Sequence, residues 1–436
     1  MSKRQISCVL LIGLALAAVA IGGLEGSYVV PLDHAAIQYA ALPVDDAVSR
    51  LQKRIDAGDL KLKFREGHGY LESILEALTV RPSSQVLVFS KTSFQATRIA
   101  PKLPRAVYFN DNVAVGWVRG GDVLEFAAVD PRQGVIFYTL DQEPTGKPHF
   151  DRQDTCLQCH QNGSTVGVPG LLVRSVYPSQ SGMPVFQAGS FVTDHRSPLK
   201  ERWGGWYVTG KHGAQAHMGN AIVQTREGPI AMEPNGQNVT DLRFRFDTGA
   251  YLTPHSDIVA LMVLEHQTRM TNLITRVGFE ARLALYDNAV MSKFLQQPEG
   301  ELSESNVRRI NNAAEELVKY MLFAEEARLT EPVTGVSGFA ESFARQGPRD
   351  GTGRSLRELD LKTRLLRYPC SYLIYAEAFD QMPQPMKERV YQRLWQVLSG
   401  EDQGPKFASL SSVDRRSILE ILRATKTGLP EYWLRP

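Results

Sequence analysis

Cysteine is scarce in this chain, which has four cysteines among 436 residues. Cys8 lies in an apolar N-terminal stretch, and Cys370 lies among apolar residues in RYPCSYLIY, where a thiol most often packs as a small core side chain. Only Cys156 and Cys159 are close together. Too few cysteines are therefore available for a disulfide framework, and the fold must depend on a hydrophobic core.

An excess of charge of either sign is also missing. The chain has 49 Lys and Arg against 47 Asp and Glu, a formal net charge of +2, and no run of basic residues. Because attraction to phosphates dominates affinity for nucleic acid, we expect no nucleic-acid partner. A hydrophobic content of 43% is that of an ordinary globular protein, and the length favours more than one structural unit.

Long apolar runs are absent after the N-terminus. Residues 6–24, ISCVLLIGLALAAVAIGGL, contain no charge and follow two basic residues. A basic head, an apolar stretch and the small residues Ala18 and Ala20 are typical of a secretory signal peptide. The alternative is an uncleaved anchor, because the run approaches the length that spans a bilayer. In both cases residues 1–24 are a targeting segment, we expect the protein in the periplasm or cell envelope, and this segment is its only expected membrane contact.

Hydrophobic periodicity divides the rest of the chain in two. Residues 25–255 contain short segments rich in Val, Phe and Tyr between turn residues, which predicts strands. Within them, residues 117–140 have the pattern of an antiparallel meander with turns at 120–121 and 130–134. From residue 256 the apolar spacing changes to three and four, which predicts helices over residues 256–436. The predicted fold class is α+β, with a β-rich antiparallel first half and an all-helical second half.

Several individual helices are predicted from the same spacing. A helical pattern also precedes the strands, over residues 47–78, and a Gly- and Pro-bearing loop is expected at residues 330–353. In the second half, Ser256 or Asp257 is expected to cap the first helix. The predicted helices of this half lie at residues 256–277, 304–327, 355–368, 385–400 and 411–426.

The clustered cysteines belong to the CLQCH segment, residues 156–160, in which His160 directly follows Cys159. The C-x-x-C-H pattern predicts covalent haem attachment. Two thiols add across the two vinyl groups, the two intervening residues separate the sulfurs along one turn, and the adjacent histidine becomes the proximal iron ligand. A redox dithiol or a zinc site are the alternatives. The dithiol would need a βαβ context and the zinc site four ligands, commonly from a second pair that this sequence does not have.

Through the CLQCH segment the chain resembles c-type cytochromes. A fainter likeness lies in LSSVDRRSILEILRATK, residues 410–426, which is similar to the closing helix of many cytochrome c domains. The resemblance implies one covalent haem c, attached on the extracytoplasmic side, and electron transfer with a redox partner protein. We therefore expect an exported mono-haem protein whose haem is attached to residues 25–255 and covered by residues 256–436.

The sixth ligand of the iron decides between an electron carrier and an enzyme. His266 is the first candidate, because it lies in an apolar stripe of the predicted helix between Met262 and Met270. With His160, it would give the iron two imidazole ligands and leave no open position. The alternative is a core histidine bonded to a neighbouring element. Glu265 beside it is expected on a solvated face.

Four other residues are weaker candidates for the sixth ligand. His217 and Met218 lie in the glycine-containing stretch GKHGAQAHMGN, with His212 as a less favoured neighbour. Met183 lies on a loop beside a proline, and His195 is interpreted as a turn residue.

An open sixth position would favour a different class of function. The protein would then be a haem-dependent oxidoreductase with peroxidase-like chemistry, or a haem-based sensor or binding protein. No Ser-His-Asp elbow, phosphate loop or H-E-x-x-H motif occurs in the sequence, so no catalytic residue is assigned.

Overall fold

The computed structural model describes residues 28–144, 147–224, 236–296 and 301–434. The predicted targeting segment, residues 1–24, lies outside the described residues. The α+β fold class is confirmed, because an antiparallel sheet forms from the first half and the long helices from the second. No helix within the described ranges is long and apolar enough to cross a membrane.

The sheet is an antiparallel meander extended by one late strand. Its strand order is β6-β5-β4-β3-β2-β1-β9, and β7 and β8 form a separate hairpin. The predicted turns at 120–121 and 130–134 are confirmed, since they connect β3 to β4 and β4 to β5. The strands are β1 (Val86–Val88), β2 (Arg105–Phe109), β3 (Val113–Trp117), β4 (Val123–Asp130), β5 (Gly134–Asp141), β6 (Phe150–Arg152), β7 (Val173–Val176), β8 (Ser190–Thr193) and β9 (Trp206–Tyr207).

The helices form most of the described part of the second half. Cys370 is buried in the core that the two halves share, as predicted. Within the described residues the helices are α1 (Ala47–Asp56), α2 (Leu71–Ala77), α3 (Leu157–His160), α4 (Ile258–Leu295), α5 (Glu304–Met321), α6 (Phe339–Ala344), α7 (Glu377–Asp380), α8 (Gln384–Leu398), α9 (Ser412–Thr425) and α10 (Glu431–Leu434).

The register of the sheet separates its side chains onto two faces. In β4, Phe126 points to the face covered by α1, where the Tyr138 hydroxyl of β5 donates to Asp46 at the start of that helix over 2.6 Å. Ala127 pairs with Phe137 and therefore lies on the opposite face. The CLQCH segment lies on that second face, because Leu157 packs on Ala127 and Phe137.

Helix α4 is the central element of the molecule. Asp257 caps it, as predicted, and accepts from the backbone N–H of Val259 over 2.8 Å. It extends to Leu295, beyond the predicted end at residue 277. From Ile258 to Ala284 nearly every residue is buried, which is the pattern of a helix enclosed on all sides.

The predicted helix over residues 355–368 is wrong, because this segment forms turns. Asp360 accepts from the backbone N–H groups of Lys362 and Thr363 over 2.8 and 2.6 Å. Leu361 has a φ of 58°, outside the right-handed helical region. A short Asp side chain that bonds its own backbone in this way competes with helix formation, although the apolar spacing is helical.

Candidate haem-attachment site

The CLQCH segment occupies a single helical turn directly after β6. A 3-10 turn, Asp154–Cys156, continues into α3. Cys159 is exposed, Cys156 is half-buried, and neither thiol is in a disulfide. Burial raises the pKa of Cys156. Redox-active C-x-x-C pairs lower the pKa of a cysteine instead, so the environment of this thiol is unlike that of a catalytic dithiol.

An apolar part of the sheet supports this turn. Leu157 packs on the cluster formed by Ala127, Val135 and Phe137. The ring centroids of Phe137 and His160 lie 4.9 Å apart. The side chains of β4 and β5 therefore form an apolar floor beneath the turn that carries the two thiols and the imidazole.

The imidazole of His160 is oriented by one backbone carbonyl. Its Nδ1 lies 2.9 Å from the carbonyl oxygen of Gly170, and the Gly170 N–H donates back to the His160 carbonyl over 2.9 Å. Because a carbonyl can only accept, Nδ1 carries the proton and the lone pair of the neutral ring is on Nε2. Burial lowers the pKa of His160 and outweighs the opposite effect of the Gly170 bond, so the ring is neutral at neutral pH.

The Gly170 carbonyl is itself positioned from α4. Asn272 accepts from the Leu171 N–H over 3.0 Å and donates to the Leu171 carbonyl over 2.6 Å. A Cβ atom at Gly170 would lie 2.2 Å from the Asn272 Oδ1 atom, so a larger residue would displace Asn272 from its bonds to Leu171. Sequence reasoning missed both residues. The sequence around Asn272 gave no signal, because the positions one turn away on either side, Thr268 and Arg276, are polar as well.

Three charged side chains act on the His160 ring. Arg105 and Glu125 form an ion pair of 2.6 Å on the sheet face that carries Ala127. The positive charges of Arg105 and Arg174 lower the pKa of His160, and the negative charge of Glu125 raises it. A ligand of the His160 imidazole would therefore lie near both positive and negative charges.

The CLQCH side chains are not arranged as ligands of one ion. Among the described residues, no three His, Cys, Asp or Glu side chains are grouped so that they could hold a metal ion. A zinc site would need such a group. Covalent haem attachment has a different requirement, because the two sulfurs bond to carbon and only the imidazole binds the metal.

His266 lies in a separate buried cluster on α4. Its Nε2 atom is 2.8 Å from the Ser371 hydroxyl oxygen, and its Nδ1 atom is 2.8 Å from the Nδ1 atom of His195. Burial lowers the pKa of His266 to about 3. His266 as sixth ligand stays a prediction, and iron coordination would require the ring to give up one of these two bonds.

Two neighbours of His266 differ from expectation. Glu265 is buried, not solvated: it binds Arg202 at 3.1 Å, accepts from the Thr193 hydroxyl over 2.6 Å, and its pKa is raised to about 7 by burial. His195 does lie in a turn, but its ring is buried and its Nε2 atom has no partner among the described residues.

The remaining candidates form a third group or lie at the surface. His217 is buried and accepts from the Gly219 N–H over 3.0 Å, with the His212 ring centroid 4.7 Å away. The sulfur of Met218 accepts from the Ser175 hydroxyl over 3.5 Å. Met183 is exposed. The structure thus places Cys156, Cys159 and His160 in one helical turn, while His217 and His266 take part in other hydrogen bonds.

Comparisons with family models, curated proteins and solved structures find no match to this chain.

Proposed function

We propose that the chain is an exported mono-haem c-type protein that transfers electrons to and from a redox partner protein. Haem c would be joined through thioether bonds to Cys156 and Cys159, with His160 as proximal iron ligand. The observation that carries the proposal is the bond from the His160 Nδ1 atom to the Gly170 carbonyl, 2.9 Å long, which leaves Nε2 as the basic nitrogen of a neutral imidazole.

The residues around the turn fit a covalently held haem. Two accessible thiols and one neutral imidazole are the donor set that such a group requires. When bound, haem supplies one-electron redox chemistry at its iron. The Gly170 carbonyl increases the basicity of the His160 ligand by accepting from its other nitrogen. Phe137 and Leu157 exclude water from the sheet side of the turn.

The first experiment tests covalent attachment. Protein matured with haem-attachment machinery is extracted with acidified organic solvent, and the haem is expected to stay with the polypeptide. Cys156→Ala combined with Cys159→Ala is expected to release it, while Cys370→Ala, a buried cysteine outside the segment, serves as the control. Free haem from the unmodified protein, or no haem at all, would overturn the proposal.

The second experiment tests the proximal ligand. His160→Ala leaves both thiols in place, so thioether bonds can still form, but the iron loses its imidazole. The optical spectrum is expected to lose its low-spin features and the yield of haem-bearing protein to fall. An unchanged spectrum would mean that another residue binds the iron.

A haem-dependent oxidoreductase with an open sixth position is the second candidate. The observation in its favour is that both ring nitrogens of His266 already have partners, at 2.8 Å each. Carbon monoxide distinguishes the two functions, because it binds reduced iron only where the sixth position is open or easily vacated. A spectrum unchanged by carbon monoxide favours electron transfer, and a shifted spectrum favours the oxidoreductase.

A further inference from the structure

The C-terminal end of α4 exposes an apolar surface. Residues 285–295 have the reverse of the usual pattern, because the buried positions are the polar Asn288 and Ser292 while large apolar side chains face solvent. Phe294 is the most exposed of them, at 81%. Soluble proteins rarely leave such a surface without a partner. The apolar tip consists of Leu285, Tyr286, Val290, Met291, Phe294 and Leu295.

The inward polar residues give this arrangement a structural reason. Asn288 donates to the Glu301 carbonyl over 2.8 Å and accepts from the Ser303 N–H over 2.8 Å. These bonds hold the start of α5 against the end of α4. The rotation of the helix is thereby set so that its apolar side chains point away from the protein.

The N-terminal end of the described chain lies beside the base of the apolar tip. Tyr28 is 52% exposed, and its hydroxyl accepts from Arg309 over 2.9 Å. Arg309 also forms an ion pair with Asp287 of α4 at 3.2 Å. The His34 ring lies 5.1 Å from the ring of Tyr286. The chain that precedes Tyr28 therefore starts next to this surface.

The apolar residues 6–24 end only a few residues before Tyr28. Even fully extended, the connection from residue 24 to Tyr28 spans at most about 14 Å. Residues 285–295 of α4 extend about 16 Å along the helix axis, which is close to the maximal distance between residue 24 and Tyr28. Tyr28 and Tyr286 lie at the base, and tyrosine is favoured where a bilayer meets water.

We propose that the apolar tip inserts into the lipid surface of a bilayer, beside the point at which residues 6–24 enter it. The proposal depends on those residues acting as an anchor, and it is independent of haem. A second copy of the chain is the other occupant that the test distinguishes.

The test places a tryptophan in the tip of the full chain, reconstituted into vesicles of phosphatidylethanolamine and phosphatidylglycerol that contain brominated phosphatidylcholine. Phe294→Trp is expected to show fluorescence that brominated lipid quenches severalfold more than that of the unmodified chain. Val413→Trp is the matched control, because Val413 is 72% exposed on α9, a different helix. Quenching of Phe294→Trp by aqueous iodide, with none from brominated lipid, would overturn the proposal.

Sedimentation in detergent separates the competing occupants. Phe294→Ser is expected to leave the oligomeric state unchanged if lipid covers the tip. A dimer that this variant dissociates, without lipid quenching in Phe294→Trp, would assign the tip to a second copy and overturn the proposal. Because Phe294 is exposed, neither variant is expected to disturb folding, and circular dichroism checks this.

Discussion

At the scale of single residues, one carbonyl decides which nitrogen of His160 is available. Gly170 supplies that carbonyl, and a Cβ atom at this position would collide with the side chain of Asn272. The motif itself could be predicted from the sequence, because its chemistry depends on neighbouring residues. The supporting pair could not, because Asn272 follows Gly170 by about a hundred residues and only folding brings them together.

Gly170→Ala is expected to displace the segment that orients His160. Its Cβ would lie 2.2 Å from the Asn272 Oδ1 atom, and overpacking of this kind costs about 1–3 kcal/mol. We expect a lower thermal unfolding temperature and an altered spectrum of the haem-bearing protein. Gly163→Ala is the control, since a Cβ there meets nothing within 4 Å. Equal stability and spectra for the two variants would refute this role of Gly170.

The pair can also be tested by a double-mutant cycle. Asn272→Ala removes two hydrogen bonds to Leu171 and leaves part-buried backbone groups unpaired, at a cost of about 1 kcal/mol. It also removes the atom that a Cβ at Gly170 would meet. Gly170→Ala is therefore expected to cost less in the Asn272→Ala background than in the unmodified protein. Urea unfolding of the four proteins measures the difference, and strict additivity would contradict the proposed contact.

At the scale of elements, the alternation of β4 connects an ion pair to the attachment site. Glu125 lies two residues before Ala127 and so on the same face, where its charge acts on the His160 ring. Glu125→Gln removes a negative charge from this face, which makes electron addition easier. We expect a higher reduction potential by redox titration. Asp122→Asn removes the same charge at an exposed position, so its shift should be smaller. Equal shifts in reduction potential for the two variants would show that the charge of Glu125 has no particular effect on the haem.

The elements themselves were predictable to different degrees. The strands of the meander alternate in polarity and are separated by strong turn residues, so both strands and turns are confirmed. Residues 355–368 have helical spacing, but the local bonds of Asp360 prevail. The partners of His266 could not be predicted from the sequence either, because His195 and Ser371 come from distant parts of the chain.

At the scale of the whole molecule, buried histidines make stability depend on pH. Burial lowers the pKa of His217 and His266 to about 3, whereas an unfolded histidine has a pKa of about 6.5. Because the folded-state pKa is depressed, the stabilisation is complete above pH 6.5 and is lost as pH falls towards 3. By linkage, protonation of His217 or of His266 each lowers the free energy of unfolding by about 2 kcal/mol between pH 7 and pH 5.

Urea unfolding at both pH values measures this effect. His217→Gln is expected to reduce the difference in unfolding free energy between pH 7 and pH 5, whatever it does to stability at pH 7. His149→Gln is the control, because the His149 side chain is 67% exposed. If His217→Gln and the unmodified protein lose the same stability on acidification, His217 does not contribute to the pH dependence.

The position of α4 along the chain has a consequence for the order of maturation. Asn272, which locks the Leu171 backbone beside Gly170, follows His160 by 112 residues. If the chain is exported from its N-terminus, as we propose, the CLQCH segment would emerge well before the helix that immobilises it. During that interval the two thiols would lie in a segment that Asn272 does not yet hold, where an attachment enzyme could reach them. Haem would then be attached before α4 packs against this segment and completes the core.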